Sequence, residues 1–296
     1  MASLPRDQQE AGPQSLLAIL LGDYTWRLVR EPVPAAVFVR LLTEFGVTEA
    51  AARVAIERVS KRGLLTKQKA GRAAYFTFSS YATVRHRDRG RHIMGFGAPR
   101  SPWDGTWTVL LTSIPEKQRE LRAQLRTRLQ AQGFARLYDA VWARPGRAAL
   151  ERGHSVLQAL PEIQATLLST SVQAVAGGGD PLLAYDLPSL AAAYDDFITG
   201  HTELQRRTRR ARVDASATLV LRTRLMDAWR SVIRLDPELP DELLPAKFPR
   251  AHARSLFIET YDALGPLAEQ RLHQIVGAFR PDISVQLHHH RSADLL

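Results

Sequence analysis

The side chains with the clearest chemistry lie on one face of a predicted helix near the start of the chain. Thr48 is a helix cap, and Ala52, Ile56 and Val59 follow it at the spacing of a buried helix face. With a step of about 100° per residue, the opposite face points outward. Its residues are Ala50, Arg53, Val54, Glu57 and Lys61. A mixed face of this kind behind a Thr48 cap is predicted to enter the major groove of DNA.

The residues of this face are expected to have different roles. Arg53 is predicted to donate two hydrogen bonds to guanine, and Val54 to meet a thymine methyl group. Glu57 has two interpretations: its carboxylate accepts a hydrogen bond from cytosine N4, or it holds Arg53 as an ion-pair partner four residues away. A fold of this shape that serves only protein contacts is the alternative to DNA binding.

The positive charge of the chain is concentrated in the same region. The first 100 residues contain 16 Lys and Arg against 8 Asp and Glu, whereas the rest contain 24 against 22. Such a local excess is typical of a polyanion-binding module, because neutralising phosphates releases condensed counterions. Within it, a basic turn carries Lys67, Lys69 and Arg72, which would bind phosphates and set the register without reading sequence.

The helices and strands that must position these residues are predicted from capping residues, from glycines that end helices, and from the spacing of apolar residues. Apolar stripes predict three helices, the first beginning at Ser15 and the third ending at Gly63. The basic turn and an alternating aromatic segment, 75–78, then indicate a hairpin. Three helices followed by a hairpin predict a winged helix-turn-helix domain over residues 15–82.

The rest of the chain divides by composition. Residues 83–102 are rich in Arg, His, Gly and Pro and are predicted to form a linker with one docking pair, Ile93 and Phe96. Residues 103–176 have the βαββαβ order of a ferredoxin-like domain. Residues 185–280 have helical periodicity and form a candidate effector-binding and dimerisation domain. The predicted fold class is α+β with several domains.

The sequence lacks any recognisable catalytic constellation. It has no cysteine, which excludes a disulfide framework, zinc ribbons and thiol catalysis and fits a reducing, cytoplasmic location. The longest apolar run, 16–21, is far below the roughly 20 residues of a membrane helix. The histidine triplet at 288–290 is typical of a disordered tail or a tag remnant rather than a metal site. We expect a non-enzyme without a metal or cofactor and without membrane contact.

Several short segments together resemble one family, the PaaX-type repressors of phenylacetic acid degradation. The segments are 20–24 (LLGDY), 45–50 (FGVTEA), 72–76 (RAAYF), 103–108 (WDGTWT), 235–240 (LDPELP), 242–245 (ELLP) and 253–257 (ARSLF). The resemblance spans about residues 15–272 in the right order. It implies a homodimeric bacterial repressor with a winged helix, a ferredoxin-like middle domain similar to the CRISPR-associated spacer-acquisition nucleases, and a helical C-terminal domain. It also implies an aryl-acyl-CoA inducer, such as phenylacetyl-CoA, that releases operator DNA.

Some residues have the chemistry that such an inducer would need. The candidates for effector binding are Arg119, Arg122, Arg126, Tyr194, Arg206, Arg210 and Trp229. The arginines form two clusters whose planar forks suit the phosphates of coenzyme A, with a solvated helix face or a flexible loop as the alternative. The aromatic residues would line an apolar pocket, although aromatic residues at helical spacing more often belong to a core.

The leading hypothesis is a dimeric repressor of a catabolic operon that binds double-stranded operator DNA and is released by an acyl-CoA. A symmetric dimer predicts a palindromic operator. One alternative is a metal-dependent nuclease of the CRISPR-associated ferredoxin-like type, but the end of the first strand of the middle domain, 111–114, has no carboxylate for a metal. The other alternative is a winged-helix scaffold protein.

Overall fold

The structure, a computed structural model, divides the chain into two compact units. It describes residues 12–24, 31–70, 73–99, 101–172, 179–210 and 212–296. Unit 1 consists of the chain up to Phe96 with Asp196–Ile233 and His252–Leu296, and unit 2 consists of Gly97–Asp195 and Arg234–Ala251. Among the described residues, no helix has the length and apolar character needed to cross a bilayer.

Unit 1 begins with three helices and a small antiparallel sheet. The elements are α1 (Pro13–Tyr24), β1 (Val33–Pro34), α2 (Ala35–Thr43), α3 (Glu49–Lys61), β2 (Leu65–Ala70) and β3 (Ala73–Phe78). The strand order is β1-β3-β2, and Leu65 lies opposite Phe78. Gly46 and Gly63 follow α2 and α3 with φ angles of 79° and 77°, where any residue with a Cβ atom would be strained. The three helices and the hairpin predicted from the sequence are confirmed.

A fourth helix, α4 (Ser80–Gly95), occupies most of the stretch 83–102, for which the sequence predicts a linker. Arginine is a good helix former, so a basic, glycine-containing composition does not prevent a helix. The apolar side of α4 lies at its end, where Ile93 and Met94 are buried, followed by Phe96. The predicted docking pair therefore belongs to the end of a packed helix and the turn after it.

Unit 2 is built on a four-stranded sheet covered by two helices. Its elements are β4 (Trp107–Ser113), α5 (Arg119–Ala131), β5 (Ala135–Tyr138), β6 (Val141–Pro145), α6 (Ala149–Gln158) and β7 (Gln164–Thr170). The strands run in the order β5-β6-β4-β7 and all neighbours are antiparallel. Leu121, Leu125 and Leu129 of α5 pack on Leu110 and Trp142 of the sheet. This is the ferredoxin-like arrangement predicted for this part of the chain.

The remaining chain is helical, as predicted. The helices are α7 (Leu187–Arg209), α8 (Ala215–Ile233), α9 (Arg250–Gly277) and α10 (Pro281–Ser284). Leu219 of α8 and Leu272 of α9 belong to the same buried cluster as Leu17 of α1 and Ile56 of α3. Within unit 1, the N-terminal helices and the C-terminal helices therefore share one hydrophobic core.

The last residues of the chain are packed, which differs from the tail expected for the histidine triplet. His290 is buried and its carbonyl oxygen accepts a hydrogen bond from Arg222 Nη2 at 2.8 Å. The Asp262 carboxylate accepts hydrogen bonds from the backbone N–H and the hydroxyl of Ser292, at 2.8 and 2.6 Å. The composition of the segment indicated a tail, but its polar groups find partners on α8 and α9.

Candidate nucleic-acid interface

The helix α3 has a buried side and an exposed side in the positions predicted from its spacing. Thr48 caps it, since its side chain accepts a hydrogen bond from the backbone N–H of Ala51 at 3.3 Å. The inner side, formed by Ala52, Ala55, Ile56 and Val59, is buried. The exposed side carries Ala50, Arg53, Val54 and Lys61, and Glu57 is partly exposed. Because the apolar side of α3 is buried in the core, its opposite side must point outward.

Val54 is unusual on that outer face because it is apolar and 51% exposed. It lies next to Arg53 on the exposed side of α3. A helix that enters a major groove uses both kinds of side chain, because the thymine methyl group and the acceptors of guanine lie in the same groove.

The ion pairs of α3 differ from one interpretation of the sequence. Arg53 pairs with Glu49, Nη2 to Oε2 at 2.8 Å, and does not pair with Glu57. An acidic residue four positions before a basic one is the favoured order on a helix, which explains the choice. Glu57 instead binds Lys67 of β2. The second pair joins α3 to the hairpin.

The hairpin presents the other predicted cations. Lys67 and Lys69 are exposed and lie two residues apart on β2, so their side chains leave the same face of the strand. Arg72 lies outside the described residues. The lysines and α3 belong to one continuous surface, because Glu57 and Lys67 are in contact.

The arginines among the predicted effector-binding residues are surface groups of different elements. Arg119 and Arg126 are exposed on α5 of unit 2, and Arg122 of the same helix donates to Ile114 O at 2.7 Å. In unit 1, Arg206 pairs with Glu203, and Arg210 is exposed just after the end of α7. An effector role for these arginines stays a prediction.

The two aromatic candidates occupy core positions. Trp229 in unit 1 is fully buried, stacks on Phe257 with ring centroids 5.0 Å apart, and donates its indole N–H to Ile93 O at 3.2 Å. Tyr194 in unit 2 is also fully buried and donates to Asp236 Oδ2 at 2.6 Å. Burial and the neighbouring carboxylate raise the pKa of the Tyr194 phenol, which stays protonated. The contacts found for both rings are those of core residues, and an effector role for them stays a prediction.

A buried ionic cluster in unit 1 is absent from the sequence-based predictions. Arg222 is completely buried, with Nη1 3.8 Å from Asp23 Oδ2 and its guanidinium 3.7 Å from the ring centre of Tyr261. Arg222 also donates to the carbonyl oxygens of Tyr261 and His290, at 3.2 and 2.8 Å. The cluster ties α1 to α8, α9 and the end of the chain.

Burial sets the protonation of this cluster. The pKa of Asp23 is raised to about 6 because burial disfavours its charged form, an effect that Arg222 opposes. The pKa of His290 is lowered to about 3 by burial and by the same guanidinium, so this imidazole is neutral. The sequence does contain a signal for this cluster. Arg222 lies at helical spacing between Leu219 and Met226 on the apolar side of α8, which indicates that its side chain points into the core.

A second buried ion pair lies in unit 2. Arg250 donates to both carboxylate oxygens of Asp236, at 2.8 and 3.0 Å, and to Leu239 O at 2.8 Å. Glu238, which has a positive φ of 61°, lies between Arg144 and Arg152, at 3.9 and 3.6 Å. Ion pairs and hydrogen bonds thus hold the segment 235–240 at Asp236, Glu238 and Leu239. Within the described residues, no group of His, Asp or Glu is arranged to hold a metal ion.

Comparisons with known proteins give a consistent result along the chain. Family models match in chain order: "PaaX-like protein" at residues 12–82, "PaaX protein central Cas2-like domain" at 100–178, and "PaaX-like protein C-terminal domain" at 185–274. Over 251 residues the chain is 26% identical to the transcriptional repressor PaaX of Escherichia coli (strain K12), covering 77% of this chain and 73% of that protein.

A solved structure of an uncharacterized protein from Mycobacterium tuberculosis is similar in fold. The TM-score is 0.58, the sequence identity is 23%, and the match covers 89% of this chain and 99% of that one. The similarity extends over nearly the whole of both chains and concerns the fold alone.

Proposed function

The chain belongs to the PaaX family of regulators, and we propose that it is a DNA-binding transcriptional repressor that an acyl-CoA releases from its operator. The family is regulatory rather than catalytic, and the middle of the chain is a Cas2-like domain. The end of β4, Ser113, supplies no carboxylate. Repression is therefore the activity to be explained through DNA contacts.

The observation that carries the proposal is the outer face of α3. We propose that α1, β1, α2, α3, β2 and β3 form a winged helix-turn-helix, with α3 as the recognition helix and the β2–β3 hairpin as the wing, and the order of these elements supports this. Arg53 and Val54 project from a helix whose other side is buried, and Lys67 and Lys69 project from the adjoining wing. We assign base reading to the first pair and phosphate binding to the second.

The repressor is proposed to act as a homodimer on a palindromic operator. A two-fold symmetric protein places its two recognition helices in successive major grooves, about 34–36 Å apart. The half-sites would then be separated by one helical turn or a multiple of it.

The proposed effector is an aryl-acyl-CoA, in accordance with the family resemblance. An effector shifts the equilibrium only if it binds the DNA-incompetent arrangement more tightly than the competent one. The exposed arginines of α5 and the end of α7 are the candidate groups for the phosphates of coenzyme A.

The proposal is tested by a mobility-shift assay on the DNA upstream of the protein's own gene. The assay is run without added ligand, with each of a panel of aryl-acyl-CoA thioesters, and with the corresponding free acids. Binding that one thioester releases and its free acid does not is the expected result. Binding that no thioester disturbs would retain the DNA-binding function and overturn the effector. Absence of any shift at low salt would overturn the repressor itself.

A further inference from the structure

The helix α4 carries a higher positive charge than the helix assigned to base reading. Its 16 residues contain four arginines and one aspartate, a net charge of +3, whereas α3 has a net charge of +1. The described arginine side chains of α4, those of Arg87, Arg89 and Arg91, are all exposed. Arg91 lies 3.6 Å from Asp88 in a surface pair, which is a weak interaction that a phosphate can replace.

Packing on its inner side holds α4 in a fixed position. His86 faces Gly22 of α1, where an added Cβ atom would lie 3.1 Å from Nδ1. Gly90 faces Leu295, where an added Cβ atom would lie 2.8 Å from Cδ1. Ile93 is also buried. The arginines therefore project from a packed helix, and less conformational entropy is lost when they bind than on a flexible linker.

The helix continues directly from the proposed wing. Only Ser79 separates Phe78, the last residue of β3, from the first residue of α4. The Ser79 hydroxyl donates to Gly63 O at 2.6 Å, and its backbone N–H donates to Leu64 O at 3.3 Å. Gly63 and Leu64 immediately follow α3, so α4 starts beside the C-terminal end of that helix. It then extends for about 24 Å, enough to follow several phosphates of a duplex.

We propose that α4 is a second DNA-contacting element, in which Arg87 and Arg91, four residues apart and therefore on one face of the helix, bind phosphates of the duplex next to the segment read by α3. The inference rests on the proposed function, which assigns DNA binding to α3 and the wing but nothing to α4. Arginine forks bind phosphate oxygens in a bidentate manner. Contacts of this kind contribute affinity and orientation without sequence preference.

The test compares three full-length proteins on two DNAs. The first is the wild type, and the second carries Arg87→Ala and Arg91→Ala. The third is a control that loses the same charge at exposed positions without an assigned role, through Lys117→Ala and Arg128→Ala. Fluorescence anisotropy gives the Kd on the operator fragment and on a random duplex over a range of salt concentrations.

The α4 variant is expected to lose affinity by the same factor on both DNAs, roughly tenfold or more at low salt. The slope of log Kd against log salt should become shallower by about 0.9 for each phosphate that the variant no longer neutralises. Alanine favours helices, so α4 should persist, and an unchanged Tm checks this. If the alanine variant does not fold, the corresponding double glutamine variant takes its place.

The outcomes separate this inference from the proposed function. A slope and affinity no different from those of the control overturn the role of α4, while wild-type binding to the operator still supports the repressor. A loss confined to the operator also overturns it, because that result would assign base reading to α4. Weak, salt-insensitive binding by the wild type overturns both proposals.

Discussion

Each acidic residue of α3 pairs with a cation that the proposed function assigns to DNA binding. Glu49 pairs with Arg53, and Glu57 pairs with Lys67. Exposed pairs of this kind contribute about 0–1 kcal/mol, so a base or a phosphate can replace them at small cost. In the proposed complex, the pairs would orient the cations before binding and would make binding to a wrong sequence less favourable, because a displaced carboxylate would then face a phosphate.

The first prediction concerns base reading by Arg53. Arg53→Ala should weaken binding to the operator by about 1–3 kcal/mol and weaken binding to random DNA much less, because alanine cannot donate the two hydrogen bonds to guanine. Lys69→Ala is the matched control, which should weaken both by the same factor, since a phosphate contact carries no sequence information. Competition mobility-shift assays give, for each variant, the ratio of its affinity for the operator to its affinity for random DNA. Equal losses for Arg53→Ala on both DNAs would move this residue to the phosphate-binding class.

The second prediction concerns the buried cluster of Asp23, Arg222 and His290. The pKa of Asp23 is raised to about 6, so the folded state binds a proton more readily than the unfolded state, and this carboxyl group adds stability as pH falls from 6 towards 4. The pKa of His290 is lowered to about 3, so the stability associated with its neutral form is present above pH 6.5 and is lost as pH falls towards 3. Between about pH 4 and 6 the two effects oppose each other.

Single variants should separate these two effects. Asp23→Asn should make the free energy of unfolding fall more steeply on acidification than in the wild type, and His290→Gln should make it fall less steeply or rise. Urea unfolding at several pH values between about 4 and 6.5 gives the slopes, and the titrations common to all three proteins cancel in the differences. Parallel pH profiles for the three proteins would show that these groups do not titrate differently on folding.

At the scale of elements, periodic apolar spacing was sufficient to predict a helix where the apolar stripe lies within the element itself. The inner side of α3 and the Leu121, Leu125 and Leu129 stripe of α5 are examples. The helix α4 was missed because its own sequence is mostly polar and the residue that covers Gly90 is Leu295, about 200 positions away in the chain. The ion-pair partners of Arg53 and Glu57 were missed for a related reason, since each had a choice among charged neighbours that spacing alone does not decide.

The third prediction concerns the turn after α5. Gly133 has a φ of 77°, and an added Cβ atom would overlap the Arg144 guanidinium and lie 2.9 Å from Pro237 O. Arg144 donates to Gln132 O at 2.5 Å and is buried, so its displacement would leave buried polar groups unsatisfied. Gly133→Ala should lower the free energy of unfolding by about 3 kcal/mol or more.

Gly146 provides the control in the same unit. Its φ is 86°, but nothing lies within 4 Å of an added Cβ atom. Gly146→Ala should therefore show only the backbone penalty, about 1–2 kcal/mol. Urea denaturation of the full chain measures both variants. Equal losses would mean that the Arg144 guanidinium moves aside without cost and that the close approach at Gly133 is unimportant.

At the scale of the whole molecule, the continuity of unit 1 matters for regulation. The helices α1 to α3 share a core with α8 and α9, and the buried Asp23–Arg222 pair crosses the same boundary. A change in the packing of α8 or α9 would therefore be felt by the helices that support α3, because close-packed cores transmit displacement rather than absorb it. If the proposed effector acts in this way, linkage requires that operator DNA lower the affinity for the effector by the same factor by which the effector lowers the affinity for DNA.

The last prediction follows from the proposed two-fold symmetry of the repressor on its operator. Insertion of 5 base pairs between the half-sites rotates one of them by about half a turn, so a dimer that contacts both on one side of the duplex should fall to the affinity of a single half-site. Replacement of the central 5 base pairs without insertion is the control and should change affinity by far less. Footprinting checks the result, because the inserted operator should show protection of one half-site at a time. Full protection of both half-sites on the inserted operator would contradict a dimer with a fixed spacing of recognition helices.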